Sequence, residues 1–136
     1  MDKKQPLGEL TLRTLAMPAD TNAHGDIFGG WIVSQMDLGG AILARQYAKS
    51  RVVTIAIDKM VFKQPVQVGE TISVYGKVVR VGRTSIEINI QVWSINHECD
   101  EEHRHVTEGI FTFVAINEKG RPHRVQCTTL SNVDRP

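Results

Sequence analysis

Apolar and polar positions alternate along parts of this chain and cluster in others, and these changes predict one strand, one long helix and four further strands. Residues 8–17 begin with apolar–polar alternation, which indicates a strand. The polar, turn-rich residues 18–26 predict a loop. A long apolar stretch then predicts a helix that begins at Ile27 and ends near Lys49 or Ser50. The further strands are predicted at residues 52–62, 71–81, 85–93 and 106–116.

The segment 85–93 shows the clearest strand pattern. Its apolar positions fall on one face and its mostly polar positions on the other, which suits an antiparallel strand with one buried face. The first set is Ile86, Ile88, Ile90 and Val92, and the second is Glu87, Asn89, Gln91 and Trp93. Because the helix is segregated from the run of strands, the chain is predicted to have an α+β fold with a five-stranded antiparallel sheet.

The predicted helix is apolar on nearly every side, so other parts of the structure must cover it. One five-stranded sheet can cover only part of such a helix. The open edges of the sheet and the uncovered flank of the helix therefore predict that two copies of the chain pair.

Length and composition indicate one domain over residues 1–136, since 136 residues with 41% hydrophobic content can bury a core. The tail from about residue 120 is expected to be mobile or to lie on a partner. The net charge of +1 provides no strong field to attract nucleic acid or an anionic membrane, so neither is an expected partner.

Cysteine usage and the apolar helix bear on location. Cys99 and Cys127 are far apart and form no CxxC motif, which favours a reducing compartment. Residues 1–6 lack the apolar run of a signal peptide. The helical stretch approaches membrane-spanning length, but Asp37 at its middle would be costly in lipid. A cytoplasmic protein is therefore expected.

Gly29 and Gly30 lie where a loop enters the predicted helix, a place where paired glycines need a reason. A helix start offers free N–H donors and a positive dipole end. Aimed at a carbonyl oxygen, such donors form an oxyanion hole. The alternative is close packing of helix on sheet, and this alternative is favoured for the second pair, Gly39 and Gly40.

Asp37 is a carboxylate in an apolar helical stretch, which requires partners or a water-filled site. A structural hydrogen bond and a catalytic role remain equally open from the sequence. Gly29 and Asp37 are eight residues apart, which is about 12 Å along a helix axis. One reacting carbon cannot lie near both, so a site that uses both would combine two chains.

Three polar residues of the preceding loop carry weaker signals. Asp26 is predicted to cap the helix. Asn22 is either a turn residue or a group that holds a water or a carbonyl. His24 could act as an acid or base, although an exposed loop histidine is the default.

There is no GxGxxG, P-loop or GxSxG motif, so dinucleotide, nucleoside-triphosphate and serine-hydrolase functions lack support.

Two further segments contain groups that could bind a ligand. Four residues of metal-ligating types occur close together, but their spacing matches no standard zinc pattern. They are His97, Cys99, His103 and His105. An exposed hairpin connection that includes Arg104 is the favoured interpretation, and no metal or other cofactor is expected. The turn Gly82–Ser85 is a hairpin connection that also offers a cation, hydroxyls and N–H groups to a phosphate.

Several stretches resemble the hotdog-fold acyl-CoA thioesterases of the YciA type. The specific ones are LRTLAMPADTN (12–22), GDIFGGW (25–31) and SQMDLGGAILA (34–44). More generic matches occur at residues 51–54, 65–70, 81–86 and 113–115. The resemblance covers most of residues 10–116, and His24 departs from it because close relatives often carry asparagine there.

The resemblance implies a hotdog fold, in which the five-stranded sheet wraps one long central helix. It also implies hydrolysis of acyl-CoA to CoA and free acid with a broad acyl range, by dimers commonly assembled as trimers of dimers. Asp37 would be the helix carboxylate, and Asn22 would act across the dimer interface from it. The remaining site residues implied are Gly29 and Gly30 at the helix start, and Arg83, Thr84, Ser85 and Lys63 at the nucleotide end of CoA.

Two other functions remain open at this stage. The chain could be a dehydratase or hydratase of acyl thioesters, for which His24 is the only nearby histidine. It could also be a non-catalytic regulator that binds acyl-CoA, although simple binding needs no polar group within the helix. For hydrolysis, Asp37 could be a general base on water or could attack the thioester itself.

Overall fold

The structure, a computed structural model, describes residues 5–96 and 103–125. Over this part of the chain the order of elements is a strand, a long helix and four strands, as the sequence pattern predicts. The elements are β1 (Glu9–Leu15), α1 (Gly29–Ala48), β2 (Arg51–Phe62), β3 (Thr71–Val81), β4 (Ser85–Ile95) and β5 (His103–Ile116), with a 3-10 turn at Pro18–Asp20. The predicted α+β class is confirmed.

The five strands form one sheet in the order β1-β3-β4-β5-β2, and every neighbouring pair is antiparallel. Strands β1 and β2 are the two edges. The predicted strand 71–81 agrees with β3 at both ends, whereas β4 and β5 extend beyond their predicted bounds. The long edge strand β2 lies directly after the helix in sequence and pairs only with β5 among the described strands.

Helix α1 packs against one face of the sheet at very close range. A Cβ atom built on Gly39 would lie 2.6 Å from Thr11 Oγ1, and one on Gly40 would lie 2.4 Å from Ile90 Cδ1. Any side chain here would push the helix off the sheet, so the packing interpretation of this glycine pair is confirmed. No described helix is long and apolar enough to cross a membrane.

The helix begins two residues later than the sequence pattern predicts. Its first residue is Gly29, and its N-cap is Phe28, whose side chain makes no capping hydrogen bond. The predicted start at Ile27 is wrong because the Ile27 N–H donates to the Val66 carbonyl at 2.9 Å and holds that residue in an extended bridge. Asp26 is not the cap, since its carboxylate accepts a hydrogen bond from another loop.

Strand β5 starts at His103, so the prediction of an exposed connection that includes Arg104 and His105 is wrong. The His105 ring stacks on Trp93 with 4.8 Å between ring centroids. Among residues 5–96 and 103–125, no group of three His, Cys, Asp or Glu side chains could hold a metal. His97 and Cys99 lie outside the described residues.

The first residues of the tail are tied to the end of the sheet. The His123 N–H donates to the Ala115 carbonyl at 2.8 Å, and the Val125 N–H donates to the Arg83 carbonyl at 2.9 Å. The tail therefore runs from the end of β5 back to the β3–β4 turn. Residues 126–136, including Cys127, lie outside the described residues.

Candidate active site

Asp37 lies near the middle of α1, half-buried, and faces the edge strand β2. The Thr54 hydroxyl donates a hydrogen bond to its Oδ1 atom. This bond joins the helix to the strand, and no described residue donates a hydrogen bond to the second carboxylate oxygen. Leu38, the next helix residue, is 54% exposed, so this flank of α1 is not covered by its own sheet.

Thr54 owes its position to an irregularity of the strand. The register of β2 against β5 shifts between Thr54 and Ala56, with Ile55 as the extra residue. Such a bulge bends a strand and re-aims its side chains, and bulges are common next to active sites. The sequence pattern does not identify Thr54 as a site residue. The only sequence signal was its place in the generic match at residues 51–54.

The start of α1 exposes its backbone. Gly29 and Gly30 are both exposed, and within the described residues no loop carbonyl accepts either N–H. A Cβ on Gly29 would meet only the ring of Phe62 at 3.4 Å, and one on Gly30 would meet the ring of Phe28 at 3.3 Å. Both rings belong to exposed side chains, so packing does not demand glycine here, in contrast to the second glycine pair.

Asn22 closes a tight turn just before the helix. Its Oδ1 accepts hydrogen bonds from the N–H groups of His24 at 2.8 Å and Asp26 at 3.2 Å. The backbone of Asn22 also bonds to Asp26, with 2.7 Å from N–H to carbonyl. The carbonyl side of the amide is therefore committed to the turn, and the Nδ2 group, which has no acceptor among the described residues, remains available as a donor.

Within one protomer, the helix start and the carboxylate are separate. Gly29 is the first residue of α1 and Asp37 is its ninth, which puts them about 12 Å apart along the axis. The structure thus separates four of the eight predicted site residues into two sets instead of one. Asn22 with Gly29 and Gly30 forms one set, and Asp37 with Thr54 forms another.

Large apolar side chains are exposed on the two elements that carry Asp37 and Thr54. On β2 the pattern of large exposed residues continues along the free edge, and on α1 it follows the uncovered flank. These residues are Val53, Ile55, Ile57, Val61, Phe62, Leu38 and Ile42, each at least 40% exposed. A long apolar edge strand of this kind is expected to pair with another chain.

The turn Gly82–Ser85 has the predicted hairpin geometry. The Gly82 N–H donates to the Ser85 carbonyl at 2.7 Å, and the Thr84 carbonyl accepts the Ala115 N–H at 2.9 Å. Arg83 is exposed and has no carboxylate partner among the described residues. Its guanidinium is therefore free to meet an anion.

Lys63 lies at the other end of the sheet. Its Nζ is 3.7 Å from Glu108 Oε1 and 3.3 Å from His105 Nδ1. Its backbone bonds to Val106, whereas Arg83 and Thr84 neighbour Ala115 and beyond. Nine residues of extended strand separate these points, which is about 30 Å. Within one protomer, Lys63 and the turn do not contact the same part of a ligand.

Two clefts open at the C-terminal end of α1 and share Ser50 and Arg51. Their volumes are about 620 and 500 Å³, and neither is lined by Asp37, Asn22 or the helix-start glycines. These two clefts therefore lie apart from the residues whose groups could take part in a reaction. The Asp37 carboxylate and the free N–H donors of the helix start indicate the reaction site better than these clefts do.

Comparison with known proteins places these features in a family. A family model described as the thioesterase superfamily matches residues 24–99. The acyl-CoA thioester hydrolase YciA of Salmonella typhimurium is 53% identical over 119 residues, which cover 86% of this chain and 90% of that protein.

Solved structures show the same relationship in three dimensions. A variant of HI0827, a hexameric broad specificity acyl-coenzyme A thioesterase, with one aspartate replaced by alanine, is 49% identical with a TM-score of 0.87 and covers 92% of this chain and 91% of its own. The hexameric thioesterase y2039 of Yersinia pestis is 50% identical with a TM-score of 0.85 and covers 90% and 99%.

Proposed function

Because this chain belongs to the thioesterase superfamily, and within it to the YciA-type acyl-CoA thioester hydrolases, we propose that it hydrolyses acyl-CoA with Asp37 as the reacting carboxylate. The hydrogen bond from Thr54 is the observation that carries this assignment, because it fixes the carboxylate at the uncovered flank of the helix. A broad acyl range and a cytoplasmic location complete the proposal.

The oxyanion is stabilised at the start of the helix. The N–H groups of Gly29 and Gly30 have no loop acceptor among the described residues, and the positive end of the helix dipole adds to their field. Asn22 contributes its free Nδ2 donor to the attacking water or to the thioester carbonyl. These donors are preorganised because the turn that holds Asn22 is closed by its own Oδ1 atom.

In the water route, the Asp37 carboxylate takes a proton from water while the water oxygen bonds to the thioester carbon. The tetrahedral oxyanion then collapses, the C–S bond breaks, and CoA leaves as the thiolate, which takes up the proton. In the covalent route, Asp37 attacks the carbon, the C–S bond breaks, and CoA leaves as the thiolate from a mixed anhydride. Water then opens the anhydride to the free acid and the Asp37 carboxylate, and its released proton goes to the thiolate. Single-turnover hydrolysis in heavy-oxygen water separates the routes, because label in the Asp37 carboxylate rules out the pure base route.

The active site is shared between two protomers. The separation of about 12 Å between Gly29 and Asp37 along α1 means that the carboxylate meets the donors of another chain. The exposed apolar edge of β2 and the flank of α1 supply the surface for a dimer. Since relatives are described as hexameric, the dimers assemble further as trimers of dimers.

The nucleotide end of CoA binds at the turn that carries Arg83, Thr84 and Ser85. An unpaired guanidinium beside hydroxyl groups suits a phosphate. Lys63 can contribute to the same CoA only from another protomer, because the two lie at opposite ends of the sheet. A hexamer provides such neighbours, so Lys63 stays in the proposed set as a contact across an interface.

The direct test is a thiol-release screen over short, long and aromatic acyl-CoAs with the wild-type protein and Asp37→Asn. The wild type should release CoA from several substrates, and the variant should lose about 10²- to 10⁴-fold in kcat, the usual contribution of a general base. Crotonyl-CoA hydration is measured in parallel. Hydration without thiol release would instead support a hydratase, and binding without either reaction would support a regulator.

A further inference from the structure

A chain of hydrogen bonds connects the sheet to the loop that precedes α1. It begins at Glu70, which is 2% exposed, and ends at Asp26. The proposed reaction does not use these residues. Buried ion pairs are weak stabilisers compared with apolar packing of the same volume, so a buried carboxylate here requires another explanation.

Glu70 organises the segment 63–70 between β2 and β3. Its Oε2 accepts the Gln67 N–H at 3.2 Å, and its Oε1 accepts a hydrogen bond from Arg104. Arg104 also donates to Gln64 Oε1 at 3.0 Å and to Ser94 Oγ at 3.1 Å. The segment is thereby closed on itself and fixed to strands β4 and β5.

The same segment holds the loop of the proposed active site at two adjacent residues. Gln67 Nε2 donates to Asp26 Oδ1 at 2.7 Å, and the Val66 carbonyl accepts the Ile27 N–H at 2.9 Å. Asp26 is in turn bonded to Asn22 through its backbone N–H and carbonyl. One side chain therefore connects the rigid sheet to the turn that presents Asn22.

We propose that Gln67, held by the Glu70–Arg104 pair, is a positioning residue that sets Asn22 and the helix-start donors through its hydrogen bond to Asp26. This proposal rests on the proposed function. The residue does not touch substrate. Its amide fixes where the 22–28 loop sits relative to the sheet, and a misplacement of about 1 Å at such a site can cost up to about a hundredfold in rate.

The test is Gln67→Ala, which removes the amide but keeps the backbone N–H that Glu70 accepts. We expect kcat for thiol release to fall about tenfold, with KM within about twofold and a nearly unchanged Tm because the bond is exposed. Asp26→Ala should give the same loss. Asp26→Asn should restore turnover, because its Oδ1 still accepts the Gln67 amide.

A double variant separates positioning from general stability. If Gln67 acts through Asp26, the loss in Gln67→Ala with Asp26→Ala should equal that of either single variant. Glu87→Ala is the matched control, since it breaks a surface pair with Arg80 at 3.8 Å far from the loop and should retain full turnover. Losses that multiply, or wild-type kcat in Gln67→Ala, would overturn the proposal.

The outcome is distinguishable from a failure of the proposed function. Asp37→Asn tests the reaction itself, whereas Gln67→Ala tests only the position of the donors. Loss of turnover in Asp37→Asn with wild-type behaviour of Gln67→Ala leaves the thioesterase assignment intact and removes the positioning role. Glu70→Gln adds a second measurement, for which we expect the same fall in kcat together with a lower Tm, because Arg104 loses its buried counter-charge.

Discussion

The hydroxyl of Thr54, on the edge strand β2, donates a hydrogen bond to the carboxylate of Asp37, near the middle of α1. The strand bulges at this point, between Thr54 and Ala56. The bond thus joins the two elements whose exposed apolar surfaces are expected to meet a second chain. It also fixes the carboxylate in one orientation while leaving its other oxygen free for chemistry.

Replacing Thr54 tests whether this orientation matters. Thr54→Val keeps the shape of the side chain but removes the donor, so kcat should fall by roughly ten- to a hundredfold, the worth of a hydrogen bond to a charged group. Thr54→Ser keeps the hydroxyl and should recover most of the rate. Steady-state thiol release measures both, and equal rates for the valine and serine variants would show that the hydroxyl has no role.

The two glycine pairs of α1 should respond differently to alanine. Gly40→Ala puts a Cβ 2.4 Å from Ile90 Cδ1 and 2.8 Å from Phe113 Cζ, so the protein should lose about 1–3 kcal/mol of stability. Gly29→Ala meets only an exposed ring, so its Tm should hold or rise slightly. Its kcat/KM should still fall about tenfold because the methyl group crowds the oxyanion donors.

Thermal unfolding and thiol release on the same samples distinguish these effects. A stable and fully active Gly29→Ala would mean that the helix start does not approach the thioester. A Gly40→Ala variant with unchanged Tm would contradict the close contact between helix and sheet.

Arg83→Ala should raise KM for acyl-CoA by roughly ten- to a hundredfold with little change in kcat, because a charge-assisted contact to phosphate is lost. An acyl-pantetheine substrate lacks the nucleotide and provides the control, since its KM should not change with the substitution. Lys63→Ala should show a smaller effect of the same kind. An equal rise in KM for both substrates would show that Arg83 does not bind the nucleotide end of CoA.

The lowered pKa of Glu108 predicts one part of the dependence of folding stability on pH. Burial opposes ionisation of this carboxyl, but a hydrogen bond from Asn89 and the charges of His105 and Lys63 lower its pKa below the ordinary value of 4.5. A lowered pKa in the folded state contributes stability above the unfolded pKa, and this contribution is lost as pH falls through the folded pKa. The stability difference between wild type and Glu108→Gln should therefore shrink as the pH falls below 4.5 and on through the lowered folded-state pKa.

Urea unfolding of the two proteins across that range measures the difference directly. A gap that stays constant as the pH falls would show that the ionised form of Glu108 is not favoured by folding.

Local patterns were sufficient to predict most of the fold. The alternation in 85–93 correctly indicates that its isoleucine face is buried, although Gln91 and Trp93 on the opposite face are buried as well. The glycine pair Gly39 and Gly40 signals close packing. The apolar character of the helix on nearly every side indicates that other parts of the structure must cover it. These features depend on neighbouring residues, so they are readable from the sequence.

Features that depend on distant contacts were not predictable. Ile27 is held out of the helix by Val66, some forty residues later. His105 belongs to β5, where it pairs with Trp93 of β4 and stacks on its ring. Thr54 reaches Asp37 through a bulge that no alternation pattern encodes. Helix geometry alone predicts that the site is divided into two separate sets. The hydrogen bond from Thr54 to Asp37 could be identified only from the structure.

The central claim is that each active site takes Asp37 from one protomer and Asn22 from another. Asp37→Asn and Asn22→Ala should each be nearly inactive alone. When the two variants are co-expressed and assemble at random, half of the dimers are mixed and each of these holds one intact site, so turnover should recover to about a quarter of the wild-type rate. Turnover that stays at the level of the separate variants would contradict a shared site.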